Sequence, residues 1–185
     1  MTTHTVETSR PTYARVAGFT FLYYIAAGIT SLALGDQAPV TEVLTLSTSF
    51  AALVLGVTLY AITRAQEPIV ALLAMMCRVI EAMHGEAAIF FAVGSLLFCW
   101  LLLRGRMIPL ALAWLGVIAS VLLVVILPLQ ILDLFGGATN WSSSVAWLPW
   151  MPMLVFEVAF ALWLLIKGVE LPTAGATPRR ADAAL

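Results

Sequence analysis

Cys77-Arg78-Val79-Ile80-Glu81-Ala82-Met83-His84-Gly85-Glu86 lies inside an otherwise apolar stretch that runs from Pro68 to Leu103 without a conventional loop. Read as one helix, residues 68–103 would be about 54 Å long. The hydrocarbon core of a bilayer is about 30 Å thick. The stretch therefore has to fold back, and His84-Gly85-Glu86, a glycine between polar residues, is the natural place. The spacing predicts two short helices, 68–84 and 87–103, each about 25 Å long. It also puts an arginine and a carboxylate within the first of them. Charges there are costly and call for a reason.

The rest of the chain supports a membrane reading. Of 185 residues, 62% are hydrophobic and 10% charged, against about 45–50% and about 25% in soluble domains. The mean hydropathy is +1.03. The formal net charge of −1 carries little information, because charge position matters more than its sum. No basic patch points to nucleic acid. Cys77 and Cys99 both fall in apolar runs, where they read as small buried apolar residues rather than a disulfide.

Working outward, four further runs are expected to span. Ala14 to Leu34 is too long for the core of a signal peptide and is expected to remain as the first span. Glu42 opens a second, 43–63, whose outer half carries Thr45, Ser47, Thr48 and Ser49. Such hydroxyls bond back to the preceding helical turn and are tolerated in lipid. Pro68 suits the first turn of the third helix. Residues 107–132 form the fifth span, with Pro109 in its first turn and Pro128 near its end. Residues 149–167 form the sixth, and Gly168 stops it. The expected domain is residues 14–170, between a polar tail (1–13) and a disordered one (171–185).

The fold class that follows is all-α, an integral membrane six-helix transmembrane bundle. Placing the N-terminus in the cytoplasm puts Arg10, Arg15, Arg64, Arg104, Arg106, Lys167, Arg179 and Arg180 inside. The outer loops then hold no basic residue, as the positive-inside rule requires. Trp100, Trp114 and Trp163 fall toward the inner interface, and Trp141, Trp147 and Trp150 toward the outer one.

Arg78 and Glu81, three apart, share a helix face. They lie about 15 and 20 Å from the cytoplasmic start of their helix, and Glu157 about 12 Å from the outer start of the sixth. The depths overlap, so three charges from two helices are expected to meet. One guanidinium faces two carboxylates, and a single shared proton would balance the site. Arg78, Glu81 and Glu157 are the candidate catalytic residues; His84, Tyr23 and Tyr24 are the candidate ligand-binding residues. A helix-interior tyrosine is more often packing, and His84 more often a polar hairpin residue. No zinc-ligand spacing, phosphate loop, dinucleotide fingerprint or nucleophile elbow is present. Neither a metal nor a cofactor is expected, and the expected partners are membrane lipids and a small hydrophobic ligand.

Five segments together resemble the bacterial DUF4386 family of small multi-pass membrane proteins. They are Ala14-Arg15-Val16-Ala17-Gly18; Leu59-Tyr60; Ala71-Leu72-Leu73 through Arg78-Val79-Ile80-Glu81-Ala82; Leu103-Arg104-Gly105-Arg106-Met107-Ile108-Pro109; and Glu157 with Leu164-Leu165-Ile166-Lys167-Gly168. The resemblance spans about residues 14–170. It implies a bacterial plasma-membrane protein with an arginine and glutamate in the third helix and a glutamate in the last. The chain departs from the pattern in a short third-to-fourth connection and in Leu110, where a basic residue is common. Three functions fit this polar centre. One is a pocket for a small hydrophobic or isoprenoid-like molecule, with cofactor-independent acid–base chemistry such as isomerisation or proton-initiated cyclisation. The others are a scaffold whose charges fix helix register, and a small proton-coupled transporter.

Overall fold

The computed structural model describes residues 10–35, 39–83, 88–132 and 148–169. Among the described residues there are six α-helices and no strand: α1 (Arg10–Leu34), α2 (Pro39–Thr63), α3 (Pro68–Met83), α4 (Ala88–Arg104), α5 (Leu110–Ile131) and α6 (Met151–Ile166). A single 3-10 turn, Leu148–Trp150, leads into α6. Four stretches, Pro11–Leu34, Pro39–Thr63, Leu110–Ile131 and Leu148–Ile166, are helical, long and apolar enough to cross a membrane. The protein is an all-α, multi-pass membrane protein. Helices α3 and α4 have 16 and 17 residues, about 24 and 26 Å. The hairpin expected at His84-Gly85-Glu86 lies outside the described residues, as does the loop from Asp133 to Trp147.

Each helix packs on the one before it, and α6 returns to pack on α1, so the six make a closed ring in chain order. Short connections favour this arrangement, because they leave a helix little choice but to run back beside its predecessor. Fully buried alanines mark the seams: Ala14 and Ala17 on α1, Ala71 and Ala74 on α3, Ala113 and Ala119 on α5, Ala161 on α6. Small side chains let membrane helices approach where no hydrophobic effect drives them together. Phe21 of α1 meets Phe160 of α6 edge-on at 5.6 Å between ring centres, and Phe156 stacks on Phe160 at 5.3 Å. Large apolar side chains such as Phe19, Val43, Phe50, Ile69, Ile118 and Ile166 point outward, as lipid contact requires.

Local signals explain the helix ends. Pro109 caps α5 on its N-terminal side, and Pro128 sits in its last turn. Helix α6 starts two residues later than the 149–167 span, because Pro149 falls in the 3-10 turn and Pro152 takes the first helical turn. There the missing N–H of Pro152 has no intrahelical bond to lose. Gly168 ends α6 with φ of +77°, and its N–H donates to the Trp163 carbonyl at 3.1 Å.

Candidate functional site

Among the described residues, Arg78 is the largest fully buried side chain, 2% exposed in the middle of the ring. Two glycines make room for it. A Cβ at position 56 on α2 would lie 3.1 Å from the Arg78 Cβ. A Cβ at position 94 on α4 would lie 3.0 Å from the Cys77 Cβ and 3.2 Å from the Ala74 carbonyl oxygen. Helix α3 is thus clasped between its neighbours at the level of its charge.

The guanidinium reaches one turn along its own helix. Arg78 Nη1 lies 2.8 Å from Glu81 Oε2. Tyr24 donates its hydroxyl proton to the other oxygen, Glu81 Oε1, at 2.7 Å. The Arg78 guanidinium carbon sits 5.4 Å from the Tyr24 ring centre and 5.0 Å from that of Phe91. Aromatic faces attract cations electrostatically, more so where water is excluded. A charge from α3 is therefore held by rings from α1 and α4.

Glu157 is also buried, 7% exposed. It makes no ion pair among the described residues. It lines, with Arg78, a void of about 10 Å³ at the ring's centre. That void is too small for an organic molecule. Among the described residues, Arg78 Nε and Nη2, Glu81 Oε2 and Glu157 Oε1 have no hydrogen-bond partner, though Glu81 Oε2 is ion-paired with Arg78. Buried polar atoms are nearly always satisfied, so four such atoms in one centre call for explanation.

Two clefts flank this centre. An apolar one of about 230 Å³ runs between α1 and α6; Tyr24, Gly28 and Ile29 line one side, Phe91, Trp150 and Leu154 the other, with Glu157 among the lining residues. A polar one of about 130 Å³ lies against α2 and is lined by Tyr24, Thr45, Thr48, Ser49 and Glu81 with two alanines. Tyr24 and Thr48 belong to both.

The structure thus joins Arg78 and Glu81 in direct contact and sets Glu157 across a void from Arg78. It adds Tyr24 to the pair. Tyr23 is 42% exposed and lines an outer groove with Phe19 and Phe50 instead. Neighbours on a helix point about 100° apart, so one of two adjacent tyrosines has to face away. His84 lies outside the described residues. Phe91, Gly56 and Gly94 escaped sequence reasoning. An intramembrane arginine calls for aromatic and small neighbours, but which residues supply them depends on helix packing. Among the described residues, no three histidine, cysteine or carboxylate side chains are grouped to hold a metal ion.

Comparison with known families bears on the same helices. Residues 84–168 match the model of the DUF4386 family, a domain of unknown function. The matched stretch takes in α4, α5 and α6 and so includes Glu157, Phe91 and Gly94. It begins after Arg78 and Glu81, whose likeness to the family rests on the sequence motifs alone. No curated protein and no solved structure matches the chain.

Proposed function

We propose that the apolar cleft holds a small hydrophobic molecule and that Glu157 works on it as an acid. The observation that carries this is a buried carboxyl with an unpartnered oxygen among the lining residues of an apolar cleft. Glu81 already has Arg78 and Tyr24 as partners, and they suit its ionised form. Among the described residues Glu157 has no such partners, and an unpaired buried charge is costly. The proton that balances the site then rests on Glu157. At about 230 Å³ the cleft is smaller than the roughly 300–1,000 Å³ of drug-sized ligand sites. It suits a small branched alkene or the end of a longer isoprenoid chain. Glu157 would give its proton to an alkene carbon. The resulting cation would face the Phe91 and Trp150 rings, which lie 5.7 Å apart. Loss of a proton from the adjacent carbon would restore Glu157 and move the double bond. No cofactor enters that cycle.

With this reading we place both termini in the cytoplasm of a bacterium, on the positive-inside count, and the mouth of the cleft in the outer half of the plasma membrane. The test uses geraniol as probe. Added to delipidated protein, it should raise the melting temperature of the wild type and not of Leu154→Trp, which fills the cleft. Ligand at a hundredfold excess over its Kd stabilises by about 2.7 kcal/mol. An equal response of the two proteins, or none in either, would contradict the pocket.

A second reading is favoured by the close fit of Arg78 between Gly56 and Gly94. There the charges fix helix register, and replacing all three by apolar residues of similar volume leaves folding and function unchanged.

A further inference from the structure

The cleft beside Glu81 differs in kind from the one beside Glu157. Thr45, Thr48 and Ser49 are spaced i, i+3 and i+4 on α2, so they share one face, and all three line the space that Glu81 borders. Thr45 and Thr48 give their own protons to the Thr41 and Thr45 carbonyls, at 2.9 and 2.8 Å. Their oxygens keep lone pairs free to accept from the cleft. Glu81 is 11% exposed while Arg78, its partner, is 2% exposed. A lipid tail gains nothing from three hydroxyls and a carboxylate; water does. Ionisable residues in membrane helices face the bundle interior or a water-filled cavity, and Glu81 borders open space that Arg78 does not.

We propose that this hydroxyl-lined cleft is a water-filled entrance by which protons reach Glu81, separate from the apolar mouth at Glu157. The inference rests on the reading of the centre as an acid–base site; the alkene cycle returns its proton to Glu157, so the entrance equilibrates the centre's shared proton with water and does not feed each turnover. In the step, a hydronium ion in the cleft transfers its proton to the Glu81 carboxylate and leaves as water. Among the described residues, the titratable groups near Glu81 are Arg78 and Cys77 on its own helix and Tyr24 on α1, with Glu157 of α6 beyond Arg78. Tyr24 and Thr48, which line both clefts, form the partition between them.

Cysteine accessibility tests it. In a Cys77→Ala, Cys99→Ala background, Ser49→Cys and Leu154→Cys are reconstituted in liposomes and treated with a membrane-impermeant trimethylammonium methanethiosulfonate. Only a hydrated thiolate reacts readily, so Ser49→Cys should label roughly tenfold faster or more than Leu154→Cys. Thr45→Cys, at the same cleft, should follow Ser49→Cys and guards against one variant misfolding. Equal rates at the two clefts, slow or fast, would overturn the separate entrance. Fast labelling at Ser49→Cys and Thr45→Cys in a protein that binds no geraniol would keep the entrance and discard the hydrophobic pocket.

Discussion

Arg78 carries several N–H donors and, among the described residues, makes one ion pair, with Glu81. Removing that partner leaves a buried cation unpaired, which costs about 3–5 kcal/mol. Glu81→Gln should therefore lower stability by about that amount in equilibrium unfolding from mixed micelles. Glu157→Gln breaks no ion pair and should stay within about 1 kcal/mol. Equal losses would mean that Glu157 shares the guanidinium after all. The adjacent tyrosines give a second contrast. Tyr24→Phe deletes a hydrogen bond to a charged acceptor and should cost about 1.5–3 kcal/mol, and Tyr23→Phe almost nothing. A matching loss at Tyr23 would contradict its outward placement. The sequence let Arg78 and Glu81 be paired from their i, i+3 spacing, because a helix converts that spacing into contact without help from the fold. It left Tyr23 and Tyr24 equivalent, because which one faces inward depends on how α1 is rotated against α2 and α6.

At the scale of elements, the third and fourth helices are set by backbone approach at Gly94. A methyl there meets the Cys77 Cβ and the Ala74 carbonyl, so Gly94→Ala should destabilise by about 1–3 kcal/mol. Gly28 has nothing within 4 Å of an added Cβ, and Gly28→Ala should instead gain about 0.5–1 kcal/mol from helix propensity. The same unfolding assay separates the two, and a gain at Gly94 would contradict the clasp. Helix existence was readable here. Apolar run length, Pro68 and Gly168 each act locally, and residues 68–103 are too long for one crossing. Residues 84–87, between the two short helices, lie outside the described part. The close approach at Gly94 was not readable, because a glycine in an apolar helix looks the same whether it meets a neighbour or faces lipid.

On the scale of the molecule, the ring closes where α6 returns to α1. Apolar helices carry almost no code for their neighbours, since lipid and a partner helix are equally apolar, and this closure could not be read from composition. It predicts a steric cost. A Cβ at position 18 would lie 2.8 Å from the Ala161 carbonyl oxygen and 2.8 Å from the Leu165 Cγ, so Gly18→Ala should push α1 off α6 and destabilise by about 1–3 kcal/mol in the same unfolding assay. An open arrangement of helices would make the change neutral or stabilising. The closed ring also gives the polar centre its two separate clefts and sets Glu157 within reach of the apolar one.

Mass spectrometry of what co-purifies addresses the function of that centre most directly. Wild type, Glu157→Gln and Glu81→Gln are extracted gently, without delipidation, and their bound small molecules compared. We expect a discrete small hydrophobic compound on the wild type, lost or chemically altered on Glu157→Gln. The same bulk phospholipids on all three proteins, with only stability changing, would contradict the pocket and leave Arg78, Glu81 and Glu157 as a structural lock.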